Sequence, residues 1–203
     1  KLDVALALYA RLPDSSPLGP YARYKQAWCA FNLSDFDRAL ALFERTLALA
    51  QAAPQLQSNA SLAREARKDW LLALANARGA QVAIPEVERV WADQPDVGLQ
   101  RLADLYRDQG KARDAVALYR LLLGRAPAPR ARLELQDSLL EMTGFLGDSK
   151  ALLGALEDLG KAAQPLASAS SSRRRHLAFG AWAGHVRAAL RVEGPFPVGL
   201  PAV

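Results

Sequence analysis

The amino-acid sequence predicts an all-α fold. Hydrophobic residues make up 51% of the 203-residue chain, and Ala and Leu dominate them. β-Branched residues are scarce, and most segments are built from Ala, Leu, Arg, Glu and Gln, which lose little side-chain freedom in a helix. Turn-forming residues also recur, at intervals of 45, 31 and 34 residues, at Ser34, Gly79, Gly110 and Gly144. Together these observations predict pairs of helices repeated along the chain.

The clearest helix pair covers residues 97–127, VGLQRLADLYRDQGKARDAVALYRLLLGRAP. Seven residues define its pattern: Leu102, Ala103, Tyr106, Gly110, Ala115, Tyr119 and Pro127. The alanines let the two helices approach closely, and the tyrosines fill the space beside them. The glycine can take the positive φ that closes the first helix, and the proline stops the second. The segment resembles the tetratricopeptide repeat, an antiparallel helix pair of about 34 residues.

The same pattern divides the rest of the chain. Ser34 takes the glycine position of an earlier copy, and Asp35 is the expected N-cap of its second helix. The predicted segments are 1–17 (second helix of a truncated repeat), 18–50 (repeat), 51–61 (inserted polar loop), 62–95 (divergent repeat), 96–128 (best repeat), 129–163 (divergent repeat with a turn two residues longer than standard at 144–147), 173–192 (capping helix) and 193–203 (extended tail). The resemblance implies a single right-handed superhelix of about nine or ten helices. We expect it to be part of a longer chain.

Charge and cysteine usage limit the function. The net charge is +5, but most basic residues alternate with acidic ones, which predicts solvated helix faces and argues against a nucleic-acid partner. One dense basic cluster, Arg173, Arg174 and Arg175, either has a structural role or binds an anionic partner, nucleic acid or a lipid headgroup. The single cysteine, Cys29, excludes an intrachain disulfide and is interpreted as a packing residue. No apolar run reaches the ~18–20 residues of a membrane span.

No catalytic arrangement is recognisable in the sequence. His176 and His185 are too far apart on one predicted helix to share a metal, and the glycines occupy helix turns rather than a phosphate-binding loop. We therefore predict a non-enzymatic protein without cofactor or metal.

The resemblance implies that a partner binds the concave wall formed by the first helix of each repeat. The corresponding residues are Tyr21, Tyr24, Trp28, Phe31 and Asn32 in the first complete repeat, Gln100, Asp104, Arg107 and Asp108 in the third, and Glu134, Ser138 and Glu141 in the fourth. Chaperone-binding members of the family carry polar clamp residues where Tyr24 and Trp28 stand here. A chaperone tail is therefore not the expected ligand, and an apolar or amphipathic segment suits this wall better.

Tyr24, Trp28 and Phe31 are spaced to share one helical face. Such a stripe is typical of a core or of a binding groove, and both interpretations stay open. The alignment predicts internal packing for smaller neighbours, namely Ala27, Ala30 and Leu33.

Residues 21–44 are also similar to tetratricopeptide proteins in the cell envelopes of gliding bacteria. This narrower resemblance implies a periplasmic or envelope-associated adaptor in a motility or secretion complex, with the cytoplasm as the alternative compartment. The leading hypothesis is thus a scaffold that binds a protein or peptide. The alternatives are an anion-binding protein acting through Arg173, Arg174 and Arg175, and self-association through the terminal half-repeats.

Overall fold

The structure is a computed structural model that describes residues 1–52, 57–125 and 128–167. Over these residues it is all-α, as predicted, with nine helices and no strand. The helices are α1 (Leu2–Ala10), α2 (Gly19–Asn32), α3 (Phe36–Ala52), α4 (Gln57–Ala77), α5 (Ala80–Val90), α6 (Pro95–Asp108), α7 (Ala112–Gly124), α8 (Pro129–Phe145) and α9 (Ser149–Ala167). The predicted capping helix 173–192, the tail 193–203 and Pro127 lie outside the described residues.

The chain forms two compact units, Lys1–Leu105 and Tyr106–Val203, with the boundary inside α6. In the first unit α1 packs on α2, α2 on α3, α3 on α4 and α4 on α5, and α2 also contacts α4. In the second unit α7 packs on α8 and α8 on α9. Packing between consecutive helices is what a helical repeat requires, because one helix pair cannot bury its own apolar face.

Small residues and a few large ones build the core of the first unit. Ala27 and Ala30 of α2 and Ala39 of α3 are buried, so the two backbones approach closely around the fully buried Phe43. The buried residues of α3 recur at helical spacing and form one apolar stripe: Ala39, Leu40, Phe43, Thr46, Leu47 and Ala50. From α4, Trp70 completes this core.

Five of the seven residues that define the best repeat are also buried. Leu102 and Ala103 are inaccessible in the first unit, and Tyr106, Ala115 and Tyr119 are inaccessible or nearly so in the second. The second unit continues with an apolar cluster between α8 and α9, formed by Leu133, Leu140, Ala155, Leu156 and Leu159.

The turns after α2 and α6 have the same backbone geometry. Ser34 and Gly110 both have positive φ, 61° and 71°. In the first turn the Ser34 amide donates a hydrogen bond to the Phe31 carbonyl, and the Asp35 amide donates to the Ala30 carbonyl. In the second turn the amides of Gly110 and Lys111 donate in the same way, to the carbonyls of Arg107 and Tyr106. All four N–O distances are 2.8–3.0 Å. Asp35 then accepts a 3.3 Å hydrogen bond from the Arg38 amide, as expected of an N-cap. Ser34 therefore occupies the position of the turn glycine, as the repeat pattern predicts.

Three predicted boundaries are wrong. The predicted inserted loop 51–61 is shorter, because α3 continues to Ala52 and α4 already begins at Gln57. Polar residues at 57–61 indicated a turn, but Asn59 is buried within α4, so tertiary packing overrides the local preference. The predicted helix over residues 1–17 ends at Ala10. The turn assigned to Gly144 lies at Gly147, which has φ 69°, whereas Gly144 belongs to α8.

The predicted packing of Leu33 is also wrong. Its predicted packing position requires α2 to continue, but α2 ends at Asn32 and Leu33 is 41% exposed as the C-cap. Its side chain therefore leaves the helical face on which Ala27 and Ala30 are buried.

Candidate partner-binding face

The aromatic residues of α2 form a continuous cluster with two phenylalanines of α3. Ring centroids are 5.9 Å apart for Tyr24 and Phe43, 6.1 Å for Trp28 and Phe43, 5.3 Å for Trp28 and Phe31, and 5.4 Å for Phe31 and Phe36. All four pairs are edge-to-face, the arrangement that aromatic quadrupoles favour. Phe43 is fully buried, whereas Tyr24, Trp28 and Phe31 are half-buried. The stripe thus packs on the core with one side and leaves the other accessible.

Asp69 of α4 ties this cluster to the neighbouring helix. The Tyr24 hydroxyl donates a hydrogen bond to Asp69 Oδ2 at 2.6 Å, and Trp28 Nε1 donates to the same oxygen at 3.1 Å. Buried Tyr and Trp side chains need a partner for their polar atom, and one carboxylate oxygen serves both. The two bonds hold the aromatic rings against α4, which is in contact with α2.

The carboxyl group of Asp69 is held by hydrogen bonds rather than by an ion pair. Its basic neighbours on α4 bind elsewhere, since Arg67 pairs with Asp93 at 2.9 Å and Lys68 with Glu65 at 3.1 Å. Burial raises the pKa of Asp69 above its usual value, although the two hydrogen bonds oppose this. Burial and the bond to Asp69 raise the pKa of Tyr24 to about 12, so its phenol keeps its proton at neutral pH.

Polar groups surround the aromatic cluster. Tyr21 is 48% exposed, and Lys25 Nζ lies 5.1 Å from the centre of its ring. Asn32 is exposed, and its amide donates to the Trp28 carbonyl at 2.7 Å. Aromatic surface inside a polar rim is typical of a protein-binding face.

Sequence reasoning missed Asp69. It belongs to the mixed-charge run 64–69, a pattern that predicts a solvated helix face, whereas Asp69 is half-buried and Ala66 fully buried. A signal was present, because the polar atoms of Tyr24 and Trp28 require an acceptor once their rings pack. Nothing in the sequence identifies which carboxylate supplies it.

The predicted residues on α6 fall into two groups. Gln100 is exposed and Asp104 half-buried in the first unit, while Arg107 and Asp108 belong to the second. Arg107 lies 3.3 Å from Asp108 and 3.4 Å from the Tyr119 hydroxyl. The structure joins Tyr24 and Trp28 through Asp69, and Phe31 contacts Trp28. Arg107 and Asp108 belong to the other unit and are not part of this cluster.

The predicted residues of α8 form no such cluster. Glu134 and Glu141 are exposed and Ser138 is half-buried. Glu134 accepts a 2.9 Å bond from Arg130, one turn earlier on the same helix. This pair stabilises the helix. None of the three predicted residues on α8 is aromatic.

The described part of the chain has one cysteine. Cys29 is buried, in agreement with a packing role. Among the described residues, no group of three or more His, Cys, Asp or Glu could hold a metal ion, and no helix has the length and apolarity to cross a membrane. Arg173, Arg174, Arg175, His176 and His185 lie outside the described residues.

No protein-family model and no curated protein matches the chain. The tetratricopeptide resemblance therefore rests on the residue pattern itself.

Proposed function

We propose that this chain is a non-enzymatic scaffold or adaptor that binds a segment of a partner protein on its α2–α4 face. This face consists of Tyr21, Tyr24, Trp28, Phe31 and Asp69. One observation carries the proposal: three aromatic side chains stay partly exposed although hydrogen bonds and ring contacts hold them in place. Rigid aromatic groups lose little conformational entropy on binding and supply much of the energy at protein interfaces.

The chemistry of the α2–α4 face favours an amphipathic partner segment. Apolar side chains of such a segment would pack on Tyr21, Trp28 and Phe31, which offer ring surface. Its polar side chains would face Lys25 and Asp69, which border the rings with opposite charges. A helix laid against two neighbouring helices meets both requirements, because its apolar residues line one side.

The similarity of residues 21–44 to envelope repeats of gliding bacteria extends the proposal. On that basis the chain acts as an adaptor in a motility or secretion complex of a bacterial cell envelope. Cell fractionation of the native host tests this setting, and recovery of the chain with cytoplasmic markers would contradict it.

Site-specific photo-crosslinking tests the binding face. A photoreactive phenylalanine analogue replaces Tyr21 in one variant and Val82 of α5, which is 55% exposed, in a control variant. Both positions accept a bulky ring without disturbing the core. We expect a partner adduct in host lysate from position 21 and little from position 82, and mass spectrometry then identifies the partner segment. Equal adducts from both positions, or adducts from position 82 alone, would contradict the proposed face.

A further inference from the structure

The second unit contains a cleft of about 540 Å³ between the α6–α7 turn and the end of α8. Its volume is in the range of roughly 300–1,000 Å³ that ligand sites occupy. All of its lining residues lie between 107 and 146, so it is separate from the α2–α4 face. We call it the cationic cleft because of the charges described next.

Basic side chains outnumber acidic ones in the lining of this cleft. Arg107, Lys111 and Arg113 contribute three positive charges, and Asp114 contributes one negative charge. Arg107 lies near Asp108, and Lys111 Nζ lies 5.8 Å from the centre of the Tyr106 ring. Even with Asp108 counted, the wall keeps a net positive charge. Positive groups that line a concave surface attract negatively charged ligands.

The opposite wall is apolar and accessible. Met142 is buried at its base, while Phe145 is 73% exposed and Leu146 37% exposed. Phe145 is the last residue of α8, and Leu146 is its C-cap. A large aromatic side chain exposed beside a cleft favours contact with an apolar group.

Two occupants of the cleft can be compared by charge: the chain's own residues 168–203 and a segment of another protein. Residues 168–203 of the chain itself carry five arginines and one glutamate, so they do not complement a cationic wall. An acidic segment of another protein does complement it. We propose that the cationic cleft binds an acidic peptide segment that has an apolar side chain next to its carboxylates. The carboxylates bind Arg107, Lys111 and Arg113, and the apolar side chain packs on Phe145 and Met142.

Two substitutions test the cleft without disturbing the core. Arg113 is exposed and is the second residue of α7, where glutamate is favourable near the helix N-terminus, so Arg113→Glu keeps the helix stable. Phe145→Ala removes a ring that is mostly in solvent. The matched control is Lys161→Glu, which reverses an exposed charge on α9 of the same unit and outside the cleft.

The probe is a short fluorescein-labelled peptide with glutamates around a Leu-Phe pair, measured with the full chain by fluorescence anisotropy. We expect binding that weakens about tenfold with Arg113→Glu and with rising salt, and about fivefold with Phe145→Ala. Lys161→Glu should change it less than about twofold. Circular dichroism verifies that each variant is folded, and Phe145→Ala decides the question if Arg113→Glu unfolds the chain.

Two comparison peptides complete the test. One has serine in place of Leu and Phe, and the other has lysine in place of glutamate; both should bind at least about fivefold more weakly. Equal binding of the serine peptide, an equal effect of Lys161→Glu and Arg113→Glu, or no binding of the acidic probe at low salt would each overturn the proposal.

Discussion

Asp69 accepts two hydrogen bonds from aromatic groups of another helix, so its side chain affects the free energy of unfolding. Asp69→Ala leaves the Tyr24 hydroxyl and Trp28 Nε1 without their acceptor, and we expect a loss of about 1–3 kcal/mol. Asp69→Asn keeps an acceptor oxygen, so its free energy of unfolding should fall clearly less than that of Asp69→Ala. Urea unfolding of the two variants measures the difference. Equal losses would show that the hydrogen bonds contribute little.

The contribution of Tyr24 to the stability of the fold depends on pH in the alkaline range. Its pKa is raised from 10.0 to about 12, mainly by burial and next by the bond to Asp69. The protonated phenol is therefore favoured in the folded state. Its contribution to stability is fully present below pH 10 and is lost as the pH rises through about 12.

Tyr24→Phe tests this dependence. The variant lacks the titrating proton, so we expect the wild-type chain to be more stable at pH 8 by about 1 kcal/mol and the difference to shrink towards pH 12. Urea unfolding at several pH values measures it. Tyr21→Phe, which removes an exposed phenol, is the control. A difference that stays constant with pH would contradict the assignment to Tyr24.

At the scale of the helices and turns, Ser34 and Gly110 form a matched pair. Both close a helix with positive φ, and a Cβ at Gly110 would meet nothing within 4 Å. In the folded state, serine and glycine at these positions therefore differ in free energy mainly through backbone strain. The left-handed conformation costs an L-residue about 1–2 kcal/mol, partly offset by the greater freedom of glycine in the unfolded chain.

We therefore expect Ser34→Gly to raise the free energy of unfolding by about 0.5–1 kcal/mol and Gly110→Ser to lower it by a similar amount. Thermal and urea unfolding of the two variants provide the comparison. If both substitutions shifted stability in the same direction, the shared turn geometry would not be what determines the residue type.

Gly98 determines how closely α6 approaches α5. A Cβ at this position would lie 2.7 Å from Trp91 Cγ and 2.8 Å from Val87 Cγ1, both buried. Neither neighbour can move without disturbing the packing, so Gly98→Ala should cost about 1–3 kcal/mol. Gly154→Ala in α9 is the control, because nothing lies within 4 Å of its Cβ and alanine favours helix by about 0.5–1 kcal/mol. A neutral Gly98→Ala in calorimetry would contradict this close packing.

Several helix ends could be predicted from sequence and others could not. The helices around Ser34 and Gly110 were predictable because local turn chemistry and the buried alanines agree there. The start of α4 and the turn at Gly147 were not, because polar residues at 57–61 and two nearby glycines leave local preferences ambiguous. In both places the packing of distant residues decides the boundary.

At the scale of the whole chain, helical periodicity predicted that Tyr24, Trp28 and Phe31 share a face, and it could not predict what that face contacts. The bond between Tyr24 and Asp69 joins residues 45 positions apart. Such a contact depends on how α2 and α4 pack, which local pattern does not specify. For the same reason the stripe is both core and surface: Trp28 packs on Phe43 and still remains partly exposed.

The two units offer different chemistry for binding. The α2–α4 face combines aromatic rings with one half-buried carboxylate, and the cationic cleft combines basic groups with an exposed phenylalanine. An adaptor that carries both would distinguish an amphipathic segment from an acidic one. Each surface has its own test. A negative result for one surface does not contradict the proposal for the other.

The most direct test of the scaffold function is the affinity of the crosslinked partner segment for Tyr21→Ala. Trp28 is less suitable, because it contacts Phe43 and Asp69 and its truncation would also change the core. Tyr21 is exposed, so its removal should leave the melting temperature unchanged. By titration calorimetry we expect binding to weaken about tenfold, with Val82→Ala indistinguishable from wild type. Unchanged affinity of Tyr21→Ala, or equal losses in both variants, would contradict the central claim that the α2–α4 face binds the partner.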